Sequence, residues 1–357
     1  MRRFVLTVLF LGIVLTFFLL FRLAFPQRGF ALPPNATYHY ETPEFTCTAA
    51  SNSLGFRGDE WRVDSKATTI LAIGDSFTFG WGVDRERAWP AIVERRLNAM
   101  GHTVRVANAG QCGGHPATYA VIAKRAIPVL KPDIVLIGSL QGDDLAQTIR
   151  VATHTRKRVA SDNRGALTDV WRSQAQGLLA VYDCCELGRL RAIDATVRSM
   201  FIGGGLNPAL VNLAITNPRY FVDTLEAERR DVRRAIGQIT EYYSTIGQIA
   251  EQHNAIAIAV SIPYALFASV HGMEQSRRFG FVVRSEMPTT LVPDKMLGAI
   301  CDDAGLSCIA VTQDFRERAT GTNLFYEYDG HFNEAGHQTF AELLTPLLDT
   351  EIRARAL

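Results

Sequence analysis

Thr69-Ile70-Leu71-Ala72-Ile73-Gly74-Asp75-Ser76-Phe77-Thr78-Phe79-Gly80 is the stretch on which the reading of this chain turns. Thr69 to Ile73 is a short, mostly apolar run of strand length, and a glycine-containing turn follows at once. A serine presented at the carboxyl end of a strand, just before a helix, stands where open α/β sheets bind ligands. The stretch is not the G-x-S-x-G elbow, and the chain carries no G-x-x-x-x-G-K-[ST] phosphate loop. A Gly-Asp-Ser triplet alone is more simply a plain turn, so its surroundings decide.

Outward from it, helices and strands alternate. Arg87–Met100 has Ile92, Val93 and Leu97 at helical spacing and stops at Gly101, with Pro90 tolerated in the first turn. Val104–Ala107 reads as a second strand, and Ala117–Ile127 as a helix stopped or kinked at Pro128. Ile134–Ile137 is unbroken and apolar, the mark of a strand buried on both faces. Farther on, Glu226–Asn254 reads as a long amphipathic helix, Ala255–Ile262 as a strand, Lys295–Ala304 as a helix, Ser307–Val311 as a strand and Glu334–Asp349 as the closing helix. This rhythm predicts an α/β, three-layer α/β/α sandwich with a five-stranded parallel sheet of order 2-1-3-4-5. Residues 31–66 read as a polar, proline-containing linker and lead-in, and 67–357 as the domain. An insertion at about 146–225, with Cys184-Cys185 and Gly203-Gly204-Gly205, breaks the rhythm after the third strand. That position suits a lid or substrate platform, with a helical decoration as the alternative.

The 357 residues, 47% of them apolar, are enough for a substantial core. With 37 basic against 36 acidic residues, nothing suggests a nucleic-acid partner, which would call for a basic face. Residues 1–30 differ in kind: Phe4 to Phe21 has no charged residue and is long enough to span a bilayer as a helix. We read it as a single-pass anchor with the domain on the non-cytoplasmic side. A cleaved signal peptide and a buried helix are the alternatives, the former disfavoured by the prolines around Ala31-Leu32-Pro33. The six cysteines, Cys47, Cys112, Cys184, Cys185, Cys301 and Cys308, form no C-x-x-C pair, so neither a zinc ribbon nor a thioredoxin motif is expected. No metal or other cofactor is expected either.

A second stretch, Tyr328-Asp329-Gly330-His331-Phe332-Asn333-Glu334-Ala335-Gly336-His337, holds what a serine at position 76 would need. A hydroxyl is a weak nucleophile until an imidazole takes its proton, and the imidazole needs a carboxylate to fix its tautomer. Asp329 and His331 can supply both. His337 is more simply a capping or packing residue, and His115 a surface residue or a pocket wall.

Together these residues resemble the SGNH (GDSL-like) hydrolases from about residue 50 to the C-terminus. Gly74-Asp75-Ser76 is similar to the family's nucleophile block, Asn108-Ala109-Gly110 to its second block, and His331 with Asn333 to its last. The resemblance implies a flavodoxin-like SGNH fold and Ser76, Asp329 and His331 as catalytic residues. It also implies an oxyanion hole from the N–H groups of Ser76 and Gly110 and the side chain at position 143. There the family has asparagine and this chain has Asp143, in Gly142-Asp143-Asp144. An ionised carboxylate cannot donate, and losing one such donor can cost roughly 10²–10³ in rate. Protonated Asp143, Gln141 or water could take its place. The Asp329–His331 spacing resembles membrane-linked polysaccharide acetyltransferases of the superfamily, and Asn52-Ser53-Leu54-Gly55-Phe56-Arg57 resembles its membrane-tethered members. The expected activity is therefore a serine esterase acting on an acyl ester, of a polysaccharide or another envelope ester. An acyltransferase with the same triad and an inactive binding or assembly protein are the alternatives.

Overall fold

The computed structural model describes residues 29–61, 66–153, 193–355 and the isolated positions 172, 174–176, 178 and 188. Most of the expected anchor, residues 1–28, lies outside them, as do Cys184 and Cys185. Among the described residues no helix is long and apolar enough to cross a membrane.

In chain order the elements are β1 (Thr37–Glu41), β2 (Thr46–Ala50), β3 (Thr68–Gly74), α1 (Ser76–Phe79), α2 (Trp89–Ala99), β4 (Val104–Gly110), α3 (Pro116–Leu130), β5 (Ile134–Leu140) and α4 (Asp143–Thr153). There follow α5 (Ala195–Ile202), α6 (Pro208–Thr216), α7 (Arg230–Gln252), β6 (Ile256–Ile262), α8 (Ala265–Ala268), α9 (Val270–Arg278), α10 (Val292–Ala304), β7 (Ser307–Ala310), α11 (Thr312–Ala319) and α12 (Glu334–Ala354). The main sheet is parallel with the order β4-β3-β5-β6-β7, which is the expected 2-1-3-4-5.

Side-chain alternation along β3 divides the core. Leu71 and Ile73 face a cluster closed by α3, α7 and α10, through Tyr119, Ile127, Tyr243, Ile246 and Ile300. Ile70 and Ala72 face the opposite cluster, built by Trp89 and Leu97 of α2, Phe315 of α11 and Phe340 and Leu344 of α12. Ile134, Val135, Leu136 and Ile137 are fully buried, as a central strand covered on both faces must be. Each large side chain so buried contributes about 1.5–3 kcal/mol. A third cluster joins the described end of the insertion, with Val197, Phe201, Val211, Ile215 and Phe221, to Leu266, Phe267, Phe279 and Phe281 after β6.

Two differences from the sequence reading matter for the site. Residues 37–50, read as linker, form an antiparallel ribbon with Thr37 opposite Ala50 and Glu41 opposite Thr46. Its turn is tied by the Thr42 hydroxyl, which accepts the N–H groups of Glu44 and Phe45. The chain after it then joins the free edge of β4, where the N–H of Arg57 donates to the Asn108 carbonyl at 2.9 Å. Strands β4 and β5 also run past the expected ends at Ala107 and Ile137, to Gly110 and Leu140. Their small terminal residues, Ala109, Gly110, Gly138 and Ser139, give no strand signal alone but pair in register with their neighbours.

Candidate active site

β3 ends at Gly74, and Asp75 turns the chain into the four-residue helix α1. Asp75 is its N-cap, accepting the N–H of Phe77 at 2.9 Å. Burial and then the charge of Asp143 push the Asp75 carboxyl up to about 7, against the opposing pull of His331 and the cap hydrogen bonds. Ser76 opens the helix, and its N–H makes no hydrogen bond among the described residues.

The far end of α1 is held by two side chains. The Asn108 amide donates to the carbonyl of Thr78 at 2.9 Å. Arg57, only 3% exposed, donates to the carbonyls of Phe79, Gly80 and Val83 at 2.5, 2.6 and 2.5 Å, its guanidinium 4.5 Å from the Phe79 ring centroid. A cation on the orphan carbonyls of a helix C-terminus is favourably placed. Gly110 lets β4 come this close, since a Cβ there would stand 2.1 Å from the Phe79 nitrogen.

Across the carboxyl edge of the sheet, the loop before α12 folds on itself. Tyr326 N–H donates to the His331 carbonyl at 2.9 Å and Gly330 N–H to that of Tyr326 at 3.2 Å, with Gly330 at φ +79°. That turn brings Asp329 Oδ1 to 2.5 Å from His331 Nδ1 despite the single intervening residue. His331 Nε2 lies 2.7 Å from Ser76 Oγ. Because the Asp329 carboxylate accepts at Nδ1, the proton is assigned there, and Nε2 is left to accept from the serine hydroxyl. Trp81 Nε1–H donates to Asp329 Oδ2 at 3.1 Å, so both carboxylate oxygens are engaged. Burial opposes the charged form of His331. The Asp329 charge and hydrogen bond, helped by Asp75 and Asp143, outweigh it and raise the imidazole pKa above its usual 6.5. Asn333 caps α12, accepting the N–H of Gly336 at 3.0 Å.

The residues expected around an oxyanion fare differently. The Gly110 N–H is taken by Asn108 Oδ1 at 2.9 Å, so it is not on offer as the sequence reading had it. On the loop that follows, the N–H groups of Cys112 and Gly113 make no hydrogen bond among the described residues. Asp143 accepts from the Tyr220 hydroxyl at 2.8 Å and from Gln147 Nε2 at 2.5 Å, so each oxygen has a donor. Burial nonetheless pushes its pKa up, and its charge is felt by both Asp75 and His331. Gln141 points elsewhere: its Nε2 donates to Asp294 Oδ1 at 2.8 Å and Thr312 Oγ1 at 2.7 Å, which removes it as a stand-in donor. Asp144 is buried, accepting from the Tyr119 hydroxyl at 2.8 Å.

His337 is a packing residue. It is 1% exposed, accepts weakly from the Trp89 N–H at 3.4 Å, and burial drives its pKa down to about 3. His115 is the N-cap of α3. No group of three His, Cys, Asp or Glu side chains among the described residues could hold a metal.

Trp81, Asn108 and Tyr220 were not singled out for side-chain roles from sequence, and Arg57 was noticed without a function. Trp81 also starts a run of rings leading away from the triad, 6.0 Å from His331 and 4.7 Å from Tyr40, which lies 6.2 Å from Tyr38. On the other side of the triad loop, a cavity of about 30 Å³ is lined by Tyr264, Gly330, Leu210, Phe279 and Phe281.

No protein-family profile matches the chain. Esterase TesA of Pseudomonas aeruginosa is 33% identical over 78 residues, which are 22% of this chain and 38% of that protein, so the match spans well under half of the relative's length. Among solved structures, TesA aligns with 78% of this chain and 97% of its own at 16% identity and a TM-score of 0.41. The acetyl xylan esterase AlAXEase aligns with 78% and 99% at 13% identity and 0.41. The lipase/acylhydrolase from Enterococcus faecalis aligns with 79% and 96% at 14% identity and 0.39.

Proposed function

We propose that this protein is a serine ester hydrolase working through an acyl-enzyme, with Ser76 as nucleophile, His331 as general base and acid, and Asp329 as the group that orients His331. The observation that carries this reading is the continuous chain from Ser76 Oγ to His331 Nε2 at 2.7 Å and from His331 Nδ1 to Asp329 Oδ1 at 2.5 Å. As Ser76 Oγ attacks an ester carbonyl, its proton passes to Nε2, and the imidazolium so formed is stabilised by Asp329. The negative charge moves to the former carbonyl oxygen, and the Ser76 N–H, which has no other hydrogen-bond partner among the described residues, is the donor that receives it. His331 returns the proton to the departing alcohol, and water, activated by the same imidazole, releases the acid.

The substrate is an acylated glycan or another envelope ester, and the N-terminal residues 1–30 hold the domain to a membrane on its non-cytoplasmic side. The uncharged run from Phe4 to Phe21 supports the attachment to a membrane. A transferase reading is favoured by one observation, the run of rings that starts at Trp81 beside His331 and continues through Tyr40 to Tyr38, on which an acceptor sugar could lie in place of water. Turnover of a small acetyl ester with and without an oligosaccharide separates the two. Hydrolysis indifferent to the sugar supports the esterase, and acetylated sugar in the products supports the transferase.

Asp143 decides how efficient the site is. With both of its oxygens accepting, it presents no proton to an oxyanion. Asp143→Asn keeps an oxygen for Tyr220 and, once Gln147 turns its amide over to accept one Nδ2–H, leaves the other as a donor, so kcat at neutral pH should rise by roughly 10². An unchanged kcat would show that Asp143 is already protonated and donating. A loss at every pH would give the carboxylate a role of its own.

A further inference from the structure

We propose that Glu44, in the turn of the β1–β2 ribbon, is a positioning residue for Asp329; this rests on the esterase reading of the same site. The Glu44 carboxylate, half-buried, reaches across to the triad loop, where Oε2 accepts the N–H of Tyr328 at 3.0 Å and that of Asp329 at 2.7 Å. Two successive peptide groups thus converge on one carboxylate oxygen. The next residue of the turn, Phe45, packs against Trp81 at 5.8 Å and Tyr326 at 4.9 Å between ring centroids. Trp81 in turn donates to Asp329 Oδ2. The ribbon thus grips Asp329 twice, through its backbone by Glu44 and through its carboxylate by way of Phe45 and Trp81. Pro43 lies against the insertion, its Cγ 3.2 Å from where a Cβ on Gly205 would stand, which keeps the turn seated.

Without Glu44 the peptide groups at 328 and 329 lose a charged acceptor and can rotate, and a small displacement of a positioning group costs heavily in rate. Glu44→Ala should therefore lower kcat for p-nitrophenyl acetate about 10- to 100-fold at unchanged KM, and Glu44→Gln, which keeps an acceptor oxygen, should restore most of it. In an Asp329→Asn background Glu44→Ala should cause no further loss, because it acts only through that side chain. Equal fold-losses in both backgrounds, or a wild-type kcat for Glu44→Ala, would overturn the proposal. A readout independent of turnover is the His331 Nδ1 proton, whose NMR resonance should shift or broaden in Glu44→Ala. An unchanged resonance would also overturn it. Failure of the esterase reading looks different: no ester turnover by the wild type, with the resonance still sensitive to Glu44.

Discussion

Ser76→Ala should lower kcat on a small chromogenic ester by roughly 10⁶, leaving only what binding and oxyanion stabilisation supply without a nucleophile. The expected loss is this large because, among the described residues, Ser76 Oγ is the one hydroxyl hydrogen-bonded to His331 Nε2. The fold should survive. The exchange removes a single half-buried oxygen, while the elements that shape the turn remain: the Asp75 cap, the Arg57 and Asn108 bonds to the carbonyls of α1, and the contact of Gly110 with Phe79. Thermal unfolding within a few degrees of wild type would therefore accompany the lost activity. Retention of the wild-type rate would remove Ser76 from the mechanism.

Asp329→Asn should reduce kcat by about 10⁴ and also move the pH profile. An amide at 329 can present its N–H to Nδ1, which favours the tautomer with the proton on Nε2, where it cannot accept from Ser76. The pH effect follows from the sign of the His331 shift. Burial lowers the imidazole pKa, but the Asp329 charge and hydrogen bond, with Asp75 and Asp143, raise it above 6.5 on balance. Only neutral imidazole is a base, so wild-type activity should fall away as the pH drops through that raised value. Removing the largest raising contribution should shift the acid limb of kcat/KM to lower pH. A limb that stays in place would mean that another group, not His331, controls it.

The parts legible in the sequence were those where residue type and spacing are dictated by local chemistry. The strand from Thr69 to Ile73 is mostly apolar because both its faces are covered, and Ser76 stands out because it follows that strand immediately. Asp329 and His331 could be paired because they lie two residues apart. Trp81, Arg57 and Glu44 could not be given roles, since each acts through contacts made only once the sheet brings distant segments together. Trp81 meets a carboxylate 248 positions away, and Glu44 meets N–H groups 284 and 285 positions away. The ribbon itself carried a readable signal, the aromatic alternation in Thr37-Tyr38-His39-Tyr40-Glu41, which Pro33, Pro34 and Pro43 around it obscured. Gly110 shows the opposite failure: the triplet Asn108-Ala109-Gly110 was noticed, but not that the Asn108 side chain would capture the Gly110 N–H.

The central claim is covalent, and the most direct test is therefore the mass of the protein during turnover. Rapid acid quench of the protein mixed with an activated acetyl ester, followed by intact and peptide mass spectrometry, should show one added acetyl group, located on Ser76. The adduct should be absent in Ser76→Ala and should decay with time in the wild type as water releases the acid. An unmodified Ser76 during sustained ester turnover, or an acetyl group carried on a different side chain that Ser76→Ala leaves in place, would contradict the acyl-enzyme mechanism.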